Sequence, residues 1–283
     1  LFEIKHFKKY IKDIKSIIIW EHDHYFMKYN YNKLKLVLHK TSLQLYYEYL
    51  NNNNILKHIK INYVSLDNHK LFLNDIKTNN KKIIMFESAD ILEDINNLIK
   101  LKDIKIITNP NFLLNNKLYE KYQNKTKKFV FNNFYMFFKQ DLNLLSSLKS
   151  TDKYNRQIIK NQNISKIPEQ KSFKLSKKES EVLKQSINWV ELNFPNNIGP
   201  EKINKWNYPI THKHAKIIFK DFIKNKLEQG YAKYQDYILF KEGIENPQTL
   251  YHSMISSSLN IGLINPIRSE EHTSELQSPD HLV

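Results

Sequence analysis

The side chains equipped for chemistry are few and scattered. His22, Asp23 and His24 stand in a row directly after an apolar run, and imidazole beside carboxylate is a metal-ligating combination. Alternating strand positions would send these three to different faces, so an ordinary strand-end loop is expected there and no metal site. Ser253 and Ser256 put short hydroxyl donors near an expected helix start, where N–H groups and the helix dipole favour an anion. The same serines would also serve a helix that only caps itself. The lack of cysteine removes disulfides, thiolate metal ligands and thiol nucleophiles, and fits an intracellular protein. All four glycines (Gly199, Gly230, Gly243 and Gly262) come late. The preceding residues therefore carry neither a dinucleotide fingerprint nor a P-loop.

Composition narrows the class. Hydrophobic residues make up 41% of the 283, enough for a packed core. The net charge of +15 points to a polyanionic partner such as nucleic acid. Only Arg156 and Arg268 are arginines among the 44 basic residues, and Asn is abundant (Asn51 to Asn54). A drift toward A-rich codons would give the same excess of lysine, so both readings stand. No apolar run reaches the roughly 18–20 residues that span a bilayer, and no membrane partner is expected. Leu1 to His6 carry no signal pattern, and a start at Leu rather than Met suggests that the natural beginning lies upstream. Residues 268–283 break with what precedes them: they contain no Lys or Asn, and they read as a sequencing adapter translated in frame. They are expected to be a non-native tail, with the natural protein continuing beyond Ile267.

Stepping along the chain, strand and helix patterns alternate over the first 145 residues. Apolar β-branched runs predict strands at 16–21, 60–66, 81–87 and 105–108. Leu34, Leu38, Leu45 and Tyr49 predict a helix over 33–50. Asp90 with Glu93 reads as the capping box of a helix striped by Ile91, Leu92, Ile95, Leu98 and Ile99. Alternation of this kind predicts a mostly parallel, Rossmann-like α/β domain with helices on both faces of one sheet. Phe129 to Leu145 is rich in aromatics; beside lysines these could stack on bases, but a core-packed helix is the expectation. Residues 146–177 read as a polar linker. From 178 the pattern is all-helical. Leu183, Ile187, Val190 and Phe194 mark one helix, and Ala215, Ile218, Phe219, Phe222 and Ile223, capped by Thr211, mark another. A last helix is expected from Thr249 to about Leu263.

Three stretches together resemble the photolyase/cryptochrome-related family, in its branch of bacterial proteins with an iron–sulfur cluster. They are Tyr31 to Ser42; Tyr154-Asn155-Arg156-Gln157; and the region 195–266, with Phe194 to Gly199, Tyr234-Gln235-Asp236 and His252 to Leu263. The resemblance implies an α/β antenna-type domain over 1–145, a linker over 146–177 and the beginning of an all-α FAD-binding domain over 178–267. It also implies that Ser253, Met254, Ile255 and Ser256 wrap the FAD phosphates, with Asn260 close by and Tyr231 near the adenine. Glu21 and Phe26, and more remotely His39, are the positions implied for an antenna chromophore, since ligands of open α/β sheets bind beyond the carboxyl ends of strands.

What the resemblance implies for function is light-driven repair of pyrimidine photoproducts in DNA by electron transfer from reduced FAD, in a monomeric cytoplasmic or nucleoid-associated protein. Two alternatives remain open from sequence: a blue-light receptor without repair, and a basic nucleic-acid-binding relic of the fold. An iron–sulfur cluster would need cysteines that this chain lacks, and the implied place for it is sequence beyond Ile267. Trp20, Trp189 and Trp206 match no electron-transfer chain and are read as packing residues. By itself, the given chain is expected to bind FAD poorly and to repair nothing.

Overall fold

The structure is a computed structural model that describes residues 1–79, 82–88, 90, 92–101, 103–126, 128–142, 157–159, 167–234, 236–237 and 249–267. The adapter-like tail, Tyr154 to Arg156, Gln235, Ile91, and residues 146–156 and 160–166 of the expected linker lie outside that set. The chain divides into two compact units. One comprises Leu1–Pro110 with Lys174–Thr211, and the other Asn111–Phe173 with His212–Val283.

In the first unit the four expected strands form where the β-branched runs put them. β1 (Ser16–Trp20) pairs in parallel with β2 (Lys60–Val64), Ser16 opposite Lys60 and Trp20 opposite Val64. β3 (Ile83–Phe86) pairs in parallel with β4 (Ile104–Ile107), Ile83 opposite Ile104. Parallel neighbours need a crossover, supplied by α1 (Lys33–Asn51) and by α3 (Glu93–Leu101). The architecture is therefore mixed α/β. Among the described residues the strands form two two-stranded sheets, β1-β2 and β3-β4, where the sequence pattern predicts one. Side chains, not a hydrogen-bonded ladder, bring strands of the two sheets together. Trp20 and Met85 pack on the core of Leu92, Ile95 and Leu98, and the Phe2 ring stacks 3.9 Å from that of Phe86.

Two elements differ from the reading of this region. α2 (His69–Thr78) has no counterpart in the sequence reading, although Leu73 and Ile76 share a face that packs on Leu92, Ile95 and Leu98. The helix expected to be capped by Asp90 begins only at Glu93, which moves Asp90 out of capping range and leaves the box unmade.

α1 starts where Asn32 accepts a hydrogen bond from Leu34 N at 2.8 Å. One of its faces closes over Ile19, Leu56, Ile59 and Ile61, and another over Phe26 with Leu36 and Val37. That second core is completed by α6 (Lys177–Asn193), which delivers Leu183 and Val190, and by Phe194 and Ile203. Burying each such side chain stabilises by about 1.5–3 kcal/mol. A capping box starts α6: Glu179 N donates to Ser176 Oγ and Ser176 N to the Glu179 carboxylate. Sequence periodicity placed this helix at the head of the helical domain. In the structure it belongs to the first unit, because its apolar stripe finds its partner on α1.

The loop after α6 returns to α1, where Lys33 N donates to Ile198 O at 2.7 Å. Gly199, at φ +139°, permits that approach, since a Cβ there would stand 3.1 Å from Lys33 Cβ.

The second unit holds α4 (Asn116–Gln123), α5 (Phe131–Asp141) and α7 (His212–Phe222). Aromatics stand on more than one side of α5, so one neighbour cannot cover them all. Phe134 and Phe137 close on Tyr122 at 5.1 and 5.3 Å, whereas Phe131 is 72% exposed. The core-packed helix expected over 129–145 is thus only half right. α7 buries Ala215, Ile218, Phe219 and Phe222 as its spacing requires. It runs on as a π-helix over Ile223–Tyr231, a wider turn that often accompanies function. The last helix, α8, is confined to Ser256–Asn260 rather than reaching back to Thr249. Leu250 and Met254 take φ values of +33° and +54°, outside the helical range, and break the run. Among the described residues, no helix is long and apolar enough to cross a membrane.

Candidate functional site

The serine segment lies in the second unit. Ser253 and Ile255 are half-buried, while Met254, Ser256 and Asn260 are exposed. The left-handed Met254 turns the chain sharply just before α8, so hydroxyls on both sides of the turn reach the surface region. Behind them Ser258 is buried, and its Oγ finds no hydrogen-bond partner among the described residues. Tyr231, at the end of the π-helix, is half-buried and meets Phe222 edge-on at 5.0 Å.

The turns on either side are locked together next to it. Tyr234 stacks on Tyr251 at 5.5 Å, and the Tyr251 ring leaves no room for a Cβ on Gly230, which would come within 2.7 Å. The structure therefore brings the helical residues 230–234 against the start of the serine segment. The donor set, hydroxyls with no opposing carboxylate in the stretch 249–260, fits the phosphates of a dinucleotide.

In the first unit, Glu21 sits just past the end of β1 and is fully buried. Its carboxylate accepts from Lys40 Nζ at 2.9 and 3.1 Å, from Leu66 N at 2.9 Å and from the Tyr63 hydroxyl through a short bond. Burial, with the Glu21 charge adding to it, pushes the Tyr63 hydroxyl far above its ordinary value, which keeps it a donor. Lys40 in turn lies 3.9 Å from the centre of the Trp189 ring. Trp189 also meets Phe26 edge-on at 6.1 Å, and Phe26 meets His39 at 6.2 Å. Glu21, Phe26 and His39 are thus joined in one neighbourhood as the sequence reading grouped them. Glu21 and Phe26 are both buried within it, Glu21 just past the end of β1 and Phe26 in the core between α1 and α6. Burial holds the His39 imidazole well below its usual range, at about 4, with Lys35 adding repulsion.

Beside this network lies a cluster that spacing did not reveal. Residues 23–25 form a 3-10 turn, and His22 finds its neighbours in other elements. His22 Nε2 stands 3.1 Å from Asp94 Oδ2, and His69 Nε2 stands 3.3 Å from Asp23 Oδ2 and 3.9 Å from Asp94 Oδ2. Both histidines are buried, and burial lowers the His22 pKa against the opposing pull of Asp94. Lys40, Tyr63, His69 and Asp94 are the residues that sequence reasoning missed. They come from α1, β2, α2 and α3, and no local motif links them to positions 21–23.

An iron–sulfur cluster finds no thiolate ligand here, because the 283 residues contain no cysteine.

No curated protein matches the chain. A family model described as deoxyribodipyrimidine photo-lyase-related protein matches residues 2–206. The matched span includes all four strands, α1 to α6, and the Glu21 and His22 clusters; it ends before Tyr231 and the serine segment.

Proposed function

The chain belongs to the deoxyribodipyrimidine photo-lyase-related protein family, and from that membership we propose a role in light-driven repair of pyrimidine photoproducts in DNA, an activity the 283 residues by themselves are not expected to show. The observation that carries this reading is the family match over residues 2–206, most of the described α/β portion and its continuation. The finer reading of the first unit is a Rossmann-like antenna domain. Two parallel strand pairs with helical crossovers support it, as does the placement of Glu21 just past the carboxyl end of β1. With all its partners in the protein, Glu21 acts there by positioning: it ties Lys40, Tyr63 and the Leu66 backbone beneath any antenna chromophore.

The chemistry that bound, reduced FAD would supply is an electron to split a dimerised pyrimidine, returned once the bonds have opened. The chain's own contribution is binding. Ser253 and Ser256 would hold the FAD phosphates with their hydroxyls, Met254 and Ile255 would provide the turn between them, Asn260 would add a polar group, and Tyr231 would serve the adenine. The net charge of +15 draws the DNA backbone to the protein. A blue-light receptor would share these features and would differ in showing no loss of photoproduct.

The binding claim is tested by titrating FAD into protein made from its natural transcript and into the Ser253→Ala/Ser256→Ala double variant. Hydrogen bonds to charged groups contribute about 1.5–3 kcal/mol each, so the double variant should bind at least about tenfold more weakly. Equal affinity would remove the serine segment from the flavin site.

A further inference from the structure

We propose that His22, His69, Asp23 and Asp94 form a binding site for a divalent first-row transition cation, with zinc as its natural fit. Ligand atoms each about 2.0–2.1 Å from a tetrahedral zinc lie about 3.3–3.4 Å from one another. The His22 Nε2 to Asp94 Oδ2, His69 Nε2 to Asp23 Oδ2 and His69 Nε2 to Asp94 Oδ2 distances of 3.1, 3.3 and 3.9 Å bracket that edge. Ligand atoms of His22, Asp23 and His69 all fall within 4.8 Å of one another. The four side chains come from the 3-10 turn after β1 and its N-cap, the first residue of α2 and the first turn of α3, so one ion would tie three segments of the first unit together.

A second observation points the same way. His22 Nε2 is buried and makes no hydrogen bond among the described residues, although Asp94 Oδ2 is only 3.1 Å away. Nitrogen and oxygen are close without being aligned on each other, as they are when both face a shared third atom. The opposite ring nitrogen is already provided for. His22 Nδ1 accepts from His24 N at 3.2 Å and lies 3.1 Å from Asp23 Oδ1, which leaves Nε2 as the nitrogen turned toward Asp94.

Charge argues for a cation as well. Two carboxylates converge on two imidazoles, and among the described residues no Lys or Arg pairs with Asp23 or Asp94. The imidazoles select against magnesium and calcium, which take oxygen ligands. The histidines form the buried side, while the Asp23 and Asp94 side chains are 48% and 30% exposed and leave the ion a way in.

The test uses the tag-free 283-residue chain after stripping with a chelator, with cobalt as the spectroscopic probe and zinc as competitor. One cobalt per chain is expected, with the intense visible absorption of four-coordinate Co²⁺, displaced by Zn²⁺ and not by excess Mg²⁺ or Ca²⁺. His69→Gln and Asp94→Asn should each weaken cobalt binding at least about tenfold. His24→Gln, and a His272→Gln/His281→Gln pair in the tail, should leave it unchanged. Should His69→Gln fail to fold, Asp94→Asn at the exposed rim carries the same comparison. Absence of stoichiometric cobalt, a six-coordinate spectrum, or affinity indifferent to Asp94→Asn would overturn the site.

Discussion

Lys40 Nζ lies 2.9 Å from Glu21 Oε1, with both side chains inside the protein. A pair removed from water in this way is costly to break, because the surviving charge keeps its desolvation cost and loses its partner. Here the surviving carboxylate would retain only Tyr63 and the Leu66 N–H, and the surviving ammonium only the Trp189 face.

Lys40→Met is therefore expected to destabilise the first unit by about 3–5 kcal/mol. Combining it with Glu21→Leu should cost clearly less than the sum of the two single variants. Urea denaturation of the three proteins reads this directly, and additive losses would show that the two groups do not interact.

Gly230→Ala should destabilise the second unit by about 1–3 kcal/mol, since its methyl meets the Tyr251 ring at 2.7 Å. In a Tyr251→Ala background the same substitution should be close to neutral. Thermal melts of the four combinations test the contact between the π-helix and the serine segment.

Ser176→Ala removes one half of an observed capping box and should cost about 1 kcal/mol of stability. The loss should appear in the cooperative transition of the first unit, because α6 shares a core with α1 there. A separate low-temperature transition would instead mean that α6 unfolds by itself.

Acid should destabilise the first unit through His39. Its folded pKa of about 4 lies below the ordinary 6.5, so between those values the unfolded chain binds more protons than the folded one. Stability contributed by the neutral ring is thus intact above pH 6.5 and falls as the pH drops toward 4, by up to about 3 kcal/mol. The His39→Gln protein should show a flatter stability profile over that interval; an unchanged slope would exonerate His39.

Local pattern carried the strands and most helices. Ile17 to Ile19, Ile83 to Phe86 and Ile104 to Ile107 are β-branched or apolar runs bounded by polar residues, and the helical steps from Leu183 to Phe194 are regular. What stayed hidden depended on partners distant in sequence. Nothing in α6 says that its stripe will meet Leu36 and Val37, and nothing near His22 announces His69 or Asp94. Phe131 misled because aromatic residues repeat too densely for one helix face to bury them. Met254 misled because a non-glycine residue in the left-handed region carries no mark of it in sequence.

Light-dependent repair is the measurement that bears most directly on function. Protein made from the natural transcript, loaded with reduced FAD without oxygen, is mixed with ultraviolet-irradiated DNA and exposed to blue light, with a dark control. Loss of pyrimidine photoproducts in the light and none in the dark is the expected result. Stable photoproducts under both conditions, with flavin bound and DNA retained, would contradict repair and leave light reception as the role of this family member.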